Sequence, residues 1–228
     1  MLRVITKLLA SVIPVKRYRH LLKDFAVNGG MDLLRTHVPK LYYYRGKNFG
    51  DCLNLDLLDY YGVNPIYAPQ YFTDACCIGS LLDDFVVTPK LCRNSKTLHV
   101  FGSGFMYSKP EYSEFCRPLK IHCLRGKLTR AICEKILRAD LSDIPLGDPG
   151  LLVSRIYPHN QDTKKYDVGI ICHYADDSGA LNRKIKLERL NYTTISVSLP
   201  PRQFAEAVAE CRCIISSAMH GLIWIQRL

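Results

Sequence analysis

Val168-Gly169-Ile170-Ile171-Cys172, followed at once by His173-Tyr174-Ala175-Asp176, is a near-continuous apolar run closed by polar residues. Such a run suits a strand covered on both faces, which is the usual state of a strand in a parallel sheet. Cys213-Ile214-Ile215 repeats the pattern and leads into Ser216-Ser217-Ala218-Met219-His220-Gly221. Each strand thus delivers a histidine just past its carboxyl end. Thr194–Val197 supplies a further strand, and 201–210 reads as a helix between the last two.

Working outward, the same alternation fills the preceding half. Leu41-Tyr42-Tyr43-Tyr44 reads as a strand, followed by a Gly-Asp turn and a helix over about 54–61. Ala75–Ile78, Leu98–Phe101 and Ile121–Leu124 are further strands. A helix over 129–137 carries Ala131, Ile132 and Ile136 on one face. Few hairpin signals intervene, so right-handed β-α-β crossovers and parallel sheets are expected. The polar stretch 158–165 is the best linker. It predicts a basic amphipathic segment 1–39, an α/β Rossmann-like lobe 40–157, and a second Rossmann-like lobe 166–228. Two such lobes place ligands at the carboxyl ends of their strands. The second shows three strands, and the sequence stops eight residues after His220, so this lobe reads as incomplete.

Composition is that of an ordinary globular chain, without repeats or low-complexity tracts. Its net charge of +10 is concentrated, because residues 1–47 hold ten Lys/Arg against only Asp24 and Asp32. A basic leader with Leu2, Val4, Ile5, Leu8, Leu9, Val12 and Ile13 suits an anionic membrane surface, or a helix packed on the domain with its charges in water. Nucleic-acid binding is not expected, since the basic residues are not interleaved with stacking aromatics. Leu8–Val15 is only 8 residues long and contains Pro14, whereas a membrane span needs about 20. Lys16-Arg17-Tyr18-Arg19 stands where a signal peptide would need small residues, which implies a cytoplasmic chain. The ten cysteines include no C-x-x-C. Cys123, Cys133, Cys172 and Cys213 fall in apolar segments, as buried reduced thiols do, and no metal site is expected.

Several junctions could hold an anion. Asn48-Phe49-Gly50-Asp51-Cys52-Leu53-Asn54 joins a strand to a helix; Gly50 permits close approach of a ligand, and Asp51 alternatively caps the helix. Gly102-Ser103-Gly104 ends a strand and is equally a tight turn. Arg125-Gly126 precedes another helix, where a guanidinium grips phosphate or carboxylate with two bonds or simply points into water. Gly147-Asp148-Pro149-Gly150 is a turn sequence. Of the two histidines, His220 is the better placed for acid/base work.

Taken together, Tyr42-Tyr43-Tyr44 through Asn54, Gly102-Ser103-Gly104, Arg125-Gly126, Gly147–Gly150, Val168–Tyr174 and Ser216–Gly221 resemble the polysaccharide pyruvyl transferase family, closest to its exopolysaccharide ketal-forming branch. The resemblance covers about 40–223. It implies a GT-B-like pair of lobes, phosphoenolpyruvate as donor, a sugar diol of a saccharide that is usually lipid-linked as acceptor, and no metal or coenzyme. It further implies His220 as proton carrier and Arg125 as catalytic partner. Donor and acceptor contacts fall to Asn48, Gly50, Asp51, Asn54, Gly102, Ser103, Gly104, Asp148, His173, Ser216 and Ser217. Many members carry an arginine where this chain has Ala218. The lobe's early end leaves room for closure by another subunit. A GT-B glycosyltransferase, or a truncated remnant or partner subunit without activity, are the alternative expectations.

Overall fold

Every ladder in both sheets runs parallel, as the spacing of apolar strands implies. The computed structural model describes residues 13–28, 30–34, 37–46, 48–88, 92–158, 164–173, 176 and 191–225. Most of the apolar leader, Lys47, the middle of the polar stretch 158–165, Tyr174 and Ala175 lie outside those residues. The chain divides into two compact α/β units. The first is Met1–Tyr43 with Gly62–Asp148, and the second is Tyr44–Tyr61 with Pro149–Leu228. The expected single boundary at 158–165 therefore differs from the observed crossings at 43/44, 61/62 and 148/149.

In the first unit, β1 (Lys40–Tyr42), β2 (Ile66–Tyr67), β3 (Ala75–Cys76), β4 (Leu98–Phe101) and β5 (Leu119–Cys123) form one sheet in the order β2-β1-β3-β4-β5. The order reverses between β1 and β3, where open α/β sheets offer a crevice beyond the strand ends. Helices α1 (Lys16–Val27) and α2 (Lys127–Leu137) belong to this unit. Expected helical crossovers are replaced in two places by chain without an α-helix, which holds a 3-10 helix at Leu82–Phe85. The β3–β4 and β4–β5 connections cover the sheet with Leu81, Leu82, Phe85, Val86, Phe105, Phe115 and Cys116, all buried together with Leu98, Val100, Leu124, Cys133 and Ile136. These segments do the packing of a helix because their apolar side chains reach the same core. Arg117, in the β4–β5 connection, ties it to the two connections before it: its Nε and Nη1 donate to the carbonyls of Lys96 and Gln70, both at 2.8 Å.

The second unit holds β6 (Tyr166–Cys172), β7 (Tyr192–Ser196) and β8 (Cys211–Ser216) in the order β7-β6-β8. β6 is the central strand and is buried from Val168 to Cys172, as its sequence implies. β8 is an edge strand, so Cys213 is exposed rather than buried, a correction to the apolar reading of that segment. Helix α3 (Phe49–Tyr60) follows β1 in sequence yet belongs here, with α4 (Val153–Ile156), α5 (Pro201–Ala209) and α6 (Met219–Ile225). Its packing decides this. The Phe49 ring stacks on Phe204 at 3.5 Å between centroids, and Trp224 meets both edge-on at 5.5 and 5.4 Å. All three side chains are fully buried, and such aromatic pairs add about 0.5–1.5 kcal/mol each beyond simple burial.

Candidate functional site

In the first unit, the loop after β4 is knitted to the loop after β3. Ser103 is fully buried; its Oγ donates to the carbonyl of Gly79 at 2.9 Å and accepts from Leu81 N at 3.3 Å. Gly104 N donates to the same carbonyl at 3.0 Å. Arg125, just past β5, lies across both loops, donating from Nη1 to Ser80 Oγ at 2.9 Å and from Nη2 to Phe105 O at 2.7 Å. The guanidinium rests directly on Gly104, where an added Cβ would come within 2.4 Å of its Nε and Nη2. Arg125 is thus both a brace for the β3 and β4 loops and a cation at the carboxyl end of the sheet. Beside it, α2 begins at Gly126 with no side-chain cap and no acid in its first turn, a setting that favours an anion.

In the second unit, Asn48 opens α3. Its side chain accepts from Gly50 N at 3.0 Å, so Asn48 is the cap and Asp51 is not. The helix accordingly starts at Phe49, five residues before the expected start near Asn54. Asp51 and Asn54 are buried within it, with Asn54 Nδ2 donating to Asp51 O at 2.9 Å. His220 is buried in the first turn of α6, with its ring edge-on to Phe49 at 6.1 Å. A Cβ on Gly50 would lie 2.2 Å from His220 Nδ1, so the space that Gly50 leaves open is filled by the imidazole. The loops after β6 and β8 are latched together. His173 N donates to Ser217 Oγ at 2.9 Å, and Ser217 Oγ donates to the Asp176 carboxylate. Ser216 Oγ is turned inward to Ala218, accepting from its N–H at 3.1 Å.

The sequence profile of the family described as polysaccharide pyruvyl transferase matches residues 78–223. The chain belongs to the polysaccharide pyruvyl transferase family. It is also similar to "Uncharacterized protein L143" of Acanthamoeba polyphaga mimivirus, with 28% identity over 140 residues, 59% of this chain. The chain spans about half the length of that curated relative, since the similarity covers 46% of it. No solved structure matches.

The pyruvyl transferase match contains Gly102, Ser103, Gly104, Arg125, Asp148, His173, Ser216, Ser217 and His220, while Asn48, Gly50, Asp51 and Asn54 precede it. The first unit brings Gly102, Ser103, Gly104 and Arg125 together. The second brings Asn48, Gly50, Asp51 and Asn54 to the start of α3, where Gly50 meets His220, and joins His173 to Ser217. Asp148 is buried at the last residue of the first unit. Two partners were given no role by the sequence reading: Ser80, which it did not single out, and Asp176, which it quoted only within the run after the strand. Each stands just past a strand's carboxyl end, and that position is the signal that marks them. Among the described residues no cluster of three or more His, Cys, Asp or Glu is arranged for a metal. No described helix is long and apolar enough to cross a membrane.

Proposed function

We propose that this member of the pyruvyl transferase family moves the pyruvyl group of phosphoenolpyruvate onto two hydroxyls of a saccharide, forming a cyclic ketal and releasing phosphate. The observation that carries the reading is the buried His220 imidazole, seated on Gly50 at the carboxyl end of β8 in a chain of this family.

The donor is an enol phosphate that must gain a proton on its methylene carbon. That proton comes from His220 and leaves an oxocarbenium-like centre, which the first sugar hydroxyl attacks. The second hydroxyl displaces phosphate and closes the ring. Of the two hydroxyl protons, one restores the imidazole and the other departs with phosphate. On the first unit, Arg125 and the uncapped start of α2 offer a cationic, N–H-rich surface suited to a phosphate or carboxylate, and Gly102, Ser103 and Gly104 keep the loop beneath Arg125 in shape. Asn48, Asp51 and Asn54 set the start of α3 against which His220 packs. His173, Ser216 and Ser217 shape the loop end that receives the acceptor on the second unit. Each lobe is of the Rossmann-like type found in GT-B enzymes, and the acceptor is lipid-linked on the cytoplasmic face of a membrane.

The test combines phosphate release from phosphoenolpyruvate with mass analysis of the acceptor. Wild-type protein is expected to release phosphate only with a diol-bearing saccharide, which gains one pyruvyl ketal. Release that survives His220→Ala, or that needs no acceptor, sinks the reading.

A further inference from the structure

We propose that helix α1 docks the protein on an anionic lipid bilayer. The argument begins with charge. Residues 1–47 carry eight of the ten net positive charges, and no acid precedes Asp24. Of these cations, the structure places Lys16, Arg17, Arg19 and Lys23 on one helix.

Packing fixes which way that helix faces. Leu21, Leu22 and Phe25 are half-buried on the first unit, with the Phe25 ring 5.8 Å from Phe72. The opposite face carries Lys16, Lys23 and Val27, all exposed, while Arg17 and His20 line the cleft that the helix makes with Gln70, Tyr71 and Arg117. No residue of the helix is fully buried, so the element lies on the surface over its whole length. Arg19 folds back onto its N-terminal end, donating from Nε and Nη2 to Ile13 O at 3.2 and 2.8 Å. Arg17 lies over the Tyr18 ring at 5.1 Å.

Two further features select lipid as the occupant. Val15, Tyr18 and Val27 are 43%, 49% and 54% exposed beside the cations, a mixture of basic, aromatic and aliphatic side chains that suits the headgroup layer. Of the uncharged side chains that join Arg and Lys on nucleic-acid backbones (Asn, Gln, Ser, Thr and Tyr), the helix contains Tyr18 alone. A bilayer with anionic headgroups complements the surface without demanding any base-reading group. This inference stands independently of the reaction proposed above.

Vesicle flotation of the full chain tests it, using phosphatidylcholine vesicles with and without about 30% phosphatidylserine. Binding is expected only to the anionic vesicles at about 0.05 M salt, and is lost near 0.5 M, where the screening length shrinks to a few ångströms. The variant K16E/K23E should bind at least about tenfold more weakly while keeping the wild-type melting curve, because both side chains are exposed and turned away from the domain. If that variant melts early, K16Q/K23Q gives the same comparison with smaller charge change. Equal binding to neutral vesicles, no binding to anionic ones, unchanged binding of a folded variant, or displacement from vesicles by equimolar duplex oligonucleotide overturns the proposal.

Discussion

Gly50 and His220 are 170 positions apart in the sequence, yet an atom added to Gly50 would sit 2.2 Å from the imidazole Nδ1. Gly50→Ala must therefore push His220 out of its seat. It is expected to cost about 1–3 kcal/mol of stability. Combined with His220→Ala, the clash disappears, so the double variant should be more stable than the sum of the single losses predicts. Urea unfolding of the four proteins measures the coupling, and strict additivity would refute the packing relationship. Both single variants should lower phosphate release by about a hundredfold or more.

Gly104 and Arg125 make a second such pair. Gly104→Ala displaces a guanidinium that is held at both ends, by Ser80 and by Phe105 O. The Michaelis constant for phosphoenolpyruvate should rise about tenfold or more, and Arg125→Lys should behave likewise because an ammonium cannot span both acceptors. An unchanged constant in both variants would reduce Arg125 to a loop brace.

Trp224 is buried edge-on against the stacked Phe49 and Phe204 rings, and its Nε1 has no hydrogen-bond partner among the described residues. Trp224→Phe keeps the edge-on contacts and removes that stranded N–H. The two effects should leave stability within about 1 kcal/mol of wild type. Trp224→Ala should cost about 3–5 kcal/mol. Thermal melts rank the two, and a phenylalanine variant as damaged as the alanine one would contradict the account.

Asp84 gives a pH signature. Burial raises its carboxyl pKa above 3.8, opposed in part by the hydrogen bond that Tyr42 donates to it at 2.8 Å. The folded state therefore holds this proton more tightly than the unfolded state. Asp84 favours folding below pH 3.8, and that contribution is lost as pH rises through its elevated folded value. Asp84→Asn lacks this dependence and still accepts from Tyr42. Relative to wild type, it should gain stability between acid and neutral pH, as read from urea midpoints across that range. A steady difference at all pH values would argue against the shift.

Much of this architecture could be read in the residues. Leu98–Phe101 begins and ends where its apolar pattern does, and the β6 run is buried as a central strand should be. Misreadings have physical causes. Gly50 and Asp51 look like a turn, but Asn48 caps the backbone there and lets the helix begin early. Ile66-Tyr67 is a two-residue strand between Pro65 and Pro69, too short for periodicity to reveal. Cys213 looks buried because its neighbours are apolar, and only the strand order shows that it lies on an edge. The places of His220 and Arg125 just after strands were legible in the sequence. What each rests on was not, because the Gly50–His220 contact depends on chain folded far from either residue.

The second unit borrows α3 from a stretch that the ribosome makes long before the rest of it. Phe49, Leu53 and Leu57 must wait for Phe204 and Trp224 to emerge, a delay on the order of ten seconds at typical synthesis rates. During that interval an oily helix has no home, which makes it a natural client for a chaperone. The same threading means that no one scission of the polypeptide yields both units whole: a fragment starting at Pro149 would lack the phenylalanine on which its aromatic cluster is stacked.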